Sequence, residues 1–159
     1  MTHKSDLPYR PNVGIALFNQ TGQIFLGRRA DMRREIWQCP QGGIDEDESV
    51  RDAAMRELNE EIGTRAAVIV GEHPDWLSYD LPSHLVGVAL GGAFRGQTQK
   101  WVAMRFTGQD HDIRLDRHLP VEFKDWRWVD LAEVFSYELG FKRSLYRKIL
   151  PMLARMAQS

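Results

Sequence analysis

The sequence has little cysteine, no long apolar run and almost no net charge. Cys39 is the only cysteine, which excludes an internal disulfide, and none of the five histidines is spaced with it as zinc ligands are. No apolar run reaches the roughly 18 residues that a membrane helix needs, and residues 1–12 lack the apolar core of an export signal. We therefore expect a cytoplasmic protein with no membrane partner.

The charges almost cancel, since 21 basic and 22 acidic residues leave a formal net charge of −1. A chain without a strong overall field does not attract polyanions at long range, so any polyanionic ligand must be held by local groups. The length of 159 residues, with 43% hydrophobic and 27% charged residues, is typical of one globular domain. We expect residues 1–159 to form a single domain that acts as a monomer.

Apolar runs separated by turn residues predict a sheet. The turn residues 19–22 indicate a hairpin between the first two strands. Residues 33–43 contain a proline and two glycines, and residues 87–99 are rich in glycine, so both segments are predicted as loops. The predicted strands are residues 13–18, 24–29, 66–70, 76–79, 100–106 and 125–129.

The helical signals agree best between residues 49 and 62. Ser49 is a suitable N-cap, and Gly63 stands where a C-cap glycine is expected. Two further helices are predicted over residues 131–137 and 142–156, the second interrupted by Pro151. The order of elements predicts an α+β fold in which helices pack on both faces of a mixed sheet. The buried stripe of the first helix is predicted at Val50, Ala54, Leu58 and Ile62.

This first helix lies in an acidic stretch, residues 42–64, that contains eight carboxylates. Glu57, Glu60 and Glu61 share an arc of about 100° on a helix, so three like charges face one way. A divalent cation such as Mg²⁺ or Mn²⁺ turns that repulsion into attraction, because both ions prefer hard oxygen ligands. The carboxylates alone leave a second interpretation open, which is a solvated acidic helix face.

The full spacing of this stretch resembles the Nudix box, the signature of hydrolases that act on a nucleoside diphosphate linked to another group. Thr64 is the one departure, since the family usually places an aliphatic residue there. The resemblance implies an α/β/α sandwich with a mixed sheet and catalysis that depends on Mg²⁺ or Mn²⁺, with more than one ion. The matching positions are Gly42, Glu48, Arg56, Glu57, Leu58, Glu60, Glu61 and Gly63.

The resemblance extends over most of the chain, through residues 9–14, 37–43, 99–101, 122–129 and 141–143. Together these tracts look like the bacterial RNA pyrophosphohydrolase group and the related dinucleoside polyphosphate hydrolases. Members remove pyrophosphate or phosphate from the 5′ end of triphosphorylated or diphosphorylated RNA, the first step of mRNA decay, and many split diadenosine polyphosphates. Cys39 stands where the group more often has Phe or Leu.

The resemblance also implies roles for individual residues. The implied catalytic residues are Glu57, Glu60, Glu61, Glu122 and Arg56, of which the four glutamates hold the metal together with Gly42. Glu48 and Gly63 have supporting roles. The implied substrate-binding residues are Arg10, Arg28, Lys100, Phe141 and Lys142.

Each of these roles competes with a plainer one. A single arginine or lysine usually makes a surface salt bridge or covers apolar surface, and a glutamate in a loop is usually solvated. Phe141 either stacks on a nucleobase or packs the closing helix into the core. Three functions therefore stay open: an RNA 5′-pyrophosphohydrolase, a dinucleoside polyphosphate hydrolase, and a nucleotide-sensing module without catalysis.

Overall fold

The computed structural model describes residues 6–158. Short 3₁₀ turns lie at Ser83–Leu85, Leu90–Gly92, Asp110–Asp112, Leu131–Ser136 and Gly140–Lys142. None of the helices in this part of the chain combines the length and apolarity needed to cross a membrane. The regular elements are β1 (Tyr9–Phe18), β2 (Ile24–Arg29), β3 (Trp37–Gln38), β4 (Gln41–Gly43), α1 (Val50–Ile62), β5 (Ala67–Asp80), β6 (Gly96–Phe106), β7 (Phe123–Val129) and α2 (Arg143–Gln158).

The seven strands form one mixed sheet, in which the main order is β3-β2-β1-β6-β5. β1 lies at its centre and runs parallel to β6, while the other strand pairs are antiparallel. β4 also pairs with β1, and β7 pairs with β2. The central strand therefore connects the tract that precedes α1 with the long strand β6.

The sheet separates two apolar cores. On one face α1 packs over Val13, Ile15 and Leu17 of β1. On the other face α2 packs over Ala16 and Phe18 of the same strand. The alternation of faces along β1 is what a strand covered on both sides requires. The fold is thus an α+β sandwich with helices on both faces of a mixed sheet, as the sequence predicts.

Local capping explains why α1 begins and ends where it does. The Ser49 hydroxyl accepts a hydrogen bond of 3.0 Å from the Asp52 backbone N–H. Gly63 ends the helix with a left-handed φ of 76°, and its N–H donates to the Asn59 carbonyl at 2.9 Å. Both predicted caps are confirmed.

Four of the predictions for secondary structure are wrong. Residues 33–43 contain β3 and β4, and β6 begins at Gly96 inside the segment predicted as a loop. The two strands predicted over residues 66–70 and 76–79 are one strand, β5, whose register shifts relative to β6. Pro151 lies inside α2 without ending it, with its exposed ring on the outer side of the helix.

Candidate active site

A cleft of about 1050 Å³ opens beside α1 and β4. Its lining comes from α1, from β4, from the loop of residues 30–36, from residues 79–90 and from the turn before α2. The cleft therefore gathers segments that are distant in sequence. The predicted site residues that line it are Arg10, Gly42, Glu57, Glu60, Glu61, Glu122, Phe141 and Lys142.

Two carboxylates of α1 are buried at the cleft. Glu57 is 9% and Glu61 is 6% exposed, whereas Glu60 is partly open to solvent. The Gln41 backbone N–H donates to Glu61 Oε2 at 3.1 Å. A Cβ on Gly42 would lie 1.9 Å from the Glu57 carboxyl carbon, so this position must be glycine for Glu57 to sit where it does. β4 and α1 thus hold the two carboxylates in place together.

Burial changes the proton affinity of both groups. Desolvation raises the pKa of Glu57 to about 7, and the neighbouring Arg56 only partly opposes that rise. Desolvation also raises the pKa of Glu61 well above its usual value, and the charges of Glu57 and Glu122 add to the effect. Carboxylates with pKa values shifted in this way inside a cleft are typical of functional sites.

Arg56 links the carboxylates to the loop before α1. Its Nε and Nη2 each donate to Glu48 at 2.8 Å, and Nη2 also donates to the Gly43 carbonyl at 2.9 Å. Its Nη1 donates to Glu57 at 2.9 Å and to Glu60 at 3.3 Å. The hydrogen bonds from Arg56 lower the pKa of Glu48 to about 2, so Glu48 is charged at neutral pH. These contacts hold Glu48, Glu57 and Glu60 in place, and the roles implied for Arg56 and Glu48 stay predictions.

The donors on this helix face fit a hard divalent cation in type. Glu57, Glu60 and Glu61 offer carboxylate oxygens, and burial raises the pKa of Glu57 and of Glu61 because their partners compensate the ionised forms only in part. Within residues 6–158 no three acidic, histidine or cysteine side chains converge into a closed metal cluster. The face is therefore a row of donors held by Arg56 and Gln41 rather than a finished cage.

A buried chain of amides supports β4 from below. The Trp101 indole N–H donates to Gln99 Oε1 at 3.1 Å, and Gln99 Nε2 donates to Asn12 Oδ1 at 2.7 Å and to Gln41 Oε1 at 3.0 Å. Lys142 Nζ also donates to Gln41 Oε1. Gln99 is fully buried and Asn12 is 1% exposed, so these bonds replace water completely. We call Trp101, Gln99, Asn12 and Gln41 the amide relay.

The turn before α2 brings a cation and an aromatic ring to the cleft. Lys142 is 3% exposed, and burial lowers its pKa to about 7. Its Nζ lies 5.8 Å from the centre of the Tyr79 ring. Phe141 is 47% exposed and lies 5.6 Å, between ring centres, from the same Tyr79. Phe141 does not pack into the core, and its predicted role in base stacking stays a prediction.

Arg10 and Glu122 reach the cleft from two segments outside α1. Arg10 belongs to β1, and its guanidinium lies so close to Gly43 that a Cβ there would be 2.3 Å from Nη2. Glu122 directly precedes β7, and its backbone carbonyl accepts from the Ala30 N–H at 2.9 Å. Desolvation raises the pKa of Glu122. Neither position was obvious from residue spacing alone.

Two of the predicted substrate-binding residues are not brought to the cleft. Lys100 Nζ donates to the Pro74 carbonyl at 3.0 Å, away from the cleft lining. Strand alternation explains this, because Gln99 on the same strand already faces the cleft side. Arg28 does not line the cleft either, and its buried Nε has no hydrogen-bond partner within residues 6–158. The neighbouring Arg29 lines the cleft instead.

Sequence reasoning missed several residues that line the cleft. Arg29 donates to both carboxylate oxygens of Asp31, at 2.9 and 2.6 Å. Gln97 lies on the cleft side of β6, where its Nε2 donates to the Tyr79 hydroxyl at 2.6 Å. The two-residue period of β6 was the available signal, because residues 97, 99 and 101 must share one face.

Comparison with solved structures shows the same fold in distant proteins. The dihydroneopterin triphosphate pyrophosphohydrolase of E. coli superposes with a TM-score of 0.67 at 18% identity, over 91% of this chain and 99% of that chain. The binary complex of an Ap4A hydrolase from C. elegans superposes with a TM-score of 0.64 at 21% identity, over 92% and 98% of the two chains. At these identities the likeness establishes the fold.

Comparison with curated proteins gives much higher identities. A protein named RNA pyrophosphohydrolase from Gluconobacter oxydans is 58% identical over 159 residues, which is 100% of this chain and 94% of the relative. One of the same name from Gluconacetobacter diazotrophicus is 56% identical over 99% of each chain. The NUDIX domain model matches residues 8–153. The chain therefore belongs to the NUDIX family of hydrolases, as the spacing of its acidic stretch predicts.

Proposed function

We propose that this chain is a metal-dependent RNA 5′-pyrophosphohydrolase. It removes pyrophosphate or phosphate from triphosphorylated or diphosphorylated RNA ends, a reaction that initiates mRNA decay. The names and the full-length similarity of the relatives from Gluconobacter oxydans and Gluconacetobacter diazotrophicus support this substrate.

One observation of the site carries the proposal. The cleft places the α1 carboxylates next to the cations Arg10 and Lys142 and to the exposed ring of Phe141. A 5′-triphosphorylated nucleotide has matching parts, because its anhydride needs metal and cationic donors and its base offers a flat face for stacking.

The residues of the chain divide the work between binding and proton transfer. Arg10 and Lys142 bind phosphate oxygens, and Arg10 does so through a planar guanidinium. Arg56 holds Glu57 and Glu60 at fixed positions. Glu57 or a neighbouring glutamate accepts the proton of the attacking water.

The proposed cofactor is Mg²⁺ or Mn²⁺, and more than one ion. Nudix hydrolases generally use divalent metals of this kind, and the residues that would hold them are Glu57, Glu60, Glu61 and Glu122, with Gly42 keeping the space beside Glu57 open. When bound, such ions neutralise charge on the polyphosphate and lower the pKa of a water molecule.

The test is turnover of 5′-triphosphorylated RNA and of diadenosine polyphosphates at the same Mg²⁺ concentration, with analysis of the products. The proposal expects pyrophosphate or phosphate to be released from RNA at the higher kcat/KM. Cleavage of the diadenosine polyphosphates alone would overturn the proposal. Retained turnover in the double variant Glu60→Gln, Glu61→Gln would overturn the assignment of the site.

A dinucleoside polyphosphate hydrolase is the second candidate. The Tyr79 and Phe141 rings, 5.6 Å apart at the cleft, give a nucleoside of either substrate the same aromatic contact. A nucleotide sensor without catalysis is disfavoured, because a binder gains nothing from two buried carboxylates whose ionised forms are only partly compensated.

We further propose that residues 1–159 act as one unit, as a monomer and in the cytoplasm. The NUDIX match over residues 8–153 supports the single unit. The free, buried thiol of Cys39 and the proposed RNA substrate suit a reducing compartment that contains transcripts. Light scattering of the purified protein tests the monomer.

A further inference from the structure

Two arginines on the edge of the cleft take no part in the site described above. Arg33 and Arg34 lie in the loop of residues 30–36, and both line the cleft while their side chains are exposed. Within residues 6–158 neither makes an ion pair or a side-chain hydrogen bond. We call these two residues the arginine rim.

Of the other cations that line the cleft, Arg10 is assigned above to the phosphates at the 5′ end, and Arg29 and Lys142 have partners within the chain. Arg29 forms an ion pair of 2.6 Å with Asp31. Lys142 is buried and donates to Gln41. The arginine rim therefore supplies two guanidinium groups that are open to solvent and have no counter-charge, which is the state in which an incoming anion is bound at the lowest cost in broken contacts.

The side of the cleft across from the rim is apolar. Leu81, Leu85 and Leu90 line the cleft from the segment that follows β5, and Tyr79 and Phe141 add aromatic surface. The sheet order puts β2 and β5 on opposite sides of β1, so the loops that follow these two strands lie on opposite sides of the cleft. One side is cationic and the other is apolar.

A single-stranded RNA matches this division, and a dinucleoside polyphosphate does not. RNA carries a phosphate after every nucleoside, so its backbone can follow cations while its bases contact apolar and aromatic surface. A dinucleoside polyphosphate has all its phosphates in one chain between two nucleosides. Once that chain lies over the α1 carboxylates, no phosphate is left for a second cationic contact.

We propose that the arginine rim binds backbone phosphates of RNA downstream of the first nucleotide, and that this contact favours RNA over dinucleoside polyphosphates. The inference depends on the proposed function for the identity of the ligand. The rim is a specificity determinant and leaves bond cleavage to the α1 carboxylates.

The test is binding of 5′-monophosphorylated RNA, labelled with a fluorophore and followed by anisotropy over a range of salt concentrations. A 5′-monophosphorylated mononucleotide and an RNA of about ten nucleotides are compared, since only the longer one carries backbone phosphates downstream of the first nucleotide. The variant is the double substitution Arg33→Ala, Arg34→Ala. The matched control is Arg114→Ala, Arg117→Ala, which removes the same charge from exposed positions outside the cleft.

The rim variant is expected to weaken binding of the longer RNA by about 2- to 30-fold and to leave binding of the mononucleotide unchanged. Its salt dependence becomes shallower by about 0.7 in the log–log slope for each lost phosphate contact. Arg33→Lys, Arg34→Lys keeps most of the affinity, because the charge stays. The charge control behaves as the wild-type protein does.

Equal affinities of the rim variant and the charge control for the longer RNA would overturn the inference, as would an equal loss of affinity for the mononucleotide. Hydrolysis by the wild-type protein is measured separately. If triphosphorylated RNA is not cleaved, the proposed function fails, while the binding comparison still decides whether the rim contacts RNA.

Discussion

The two helices cover the same sheet from opposite faces, and they bury different kinds of residue. α2 buries Tyr146, Ile149, Leu150 and Leu153 completely and buries no acid. α1 buries alanines and aliphatic residues together with Glu57 and Glu61.

Burying a carboxylate without a full set of partners destabilises the folded state, whereas burying an aliphatic side chain stabilises it. The two faces of the sheet therefore have different tasks within one fold. Packing on the α2 face stabilises the fold. Packing on the α1 face stabilises it less, because two buried positions there hold oxygen donors in a cleft.

The largest expected effect is on the chemistry of the α1 face. Glu61→Gln keeps an oxygen that can accept from the Gln41 N–H but removes the negative charge. We expect turnover of RNA to fall more than the roughly 10- to 100-fold typical of residues that only support a metal ligand. The melting temperature should be unchanged or higher, since a buried charge is removed. Asp52→Asn on the exposed side of α1 is the control in the same kinetic assay.

On the α2 face we expect the reverse pattern. Leu153→Ala leaves a cavity in a fully buried site and should lower the free energy of unfolding by about 2–5 kcal/mol in urea titrations. The kcat of the folded fraction should stay the same. Arg155→Ala, at an exposed position two residues further along α2, should change neither quantity. A loss of kcat in Leu153→Ala at full folding would show that the two faces are not separable.

The amide relay connects the two faces, and Gln99→Met tests that connection. The change keeps the volume but removes the donations to Asn12 and Gln41 and the acceptor for Trp101. We expect metal affinity or turnover to fall about 10- to 100-fold, with Mn²⁺ binding measured by electron paramagnetic resonance. Gln23→Met, in the β1–β2 hairpin, is the matched control. Unaltered Mn²⁺ affinity would restrict the relay to a structural role.

The pH dependence of stability tests the cost of burying Glu57 on the α1 face. The pKa of Glu57 is about 7 in the folded protein and near 4.5 in the unfolded chain, so the folded state binds more protons between these values. The contribution of Glu57 to stability must then decrease as the pH rises from about 4.5 to about 7. Thermal unfolding in EDTA should show this slope, and Glu57→Gln should reduce it. An identical slope in both proteins would contradict the assignment.

The smallest expected effect is at the start of α1. Ser49→Ala removes the acceptor of the Asp52 N–H and should cost about 1 kcal/mol in the free energy of unfolding. Turnover at saturating metal should change little, because the cap lies at the opposite end of the helix from Glu61. Ser49→Asp is expected to restore the stability, and its failure to do so would mean that the side chain acts in some other way.

Local signals explain what the sequence predicts well. Ser49 and Gly63 determine the ends of α1 through contacts within a few residues, and the spacing of Glu57, Glu60 and Glu61 determines the carboxylate face. Those features depend only on helix geometry.

Long-range pairing explains what the sequence does not reveal. β3 and β4 are strands only because β1 and β2 pair with them, and each is too short to have a period of its own. Gln99 lies on the side of β6 that faces the cleft, and Lys100 lies on the opposite side. Strand alternation alone could have separated these two positions. The register of β2 shifts at a bulge between Arg28 and Arg29, which no local sequence pattern predicts. This bulge accompanies the presence of Arg29 rather than Arg28 in the cleft.

The parallel pairing of β1 with β6 also sets the order of events during synthesis. Asn12 and Gln99, which hydrogen-bond across this pair, are 87 residues apart. At about 5–20 residues per second, β6 leaves the ribosome roughly 4–17 seconds after β1. α1 and its carboxylates emerge in that interval, before the strand that supports β4 exists. We therefore expect a nascent chain to acquire its proposed metal site only after β6 is synthesised, late in translation.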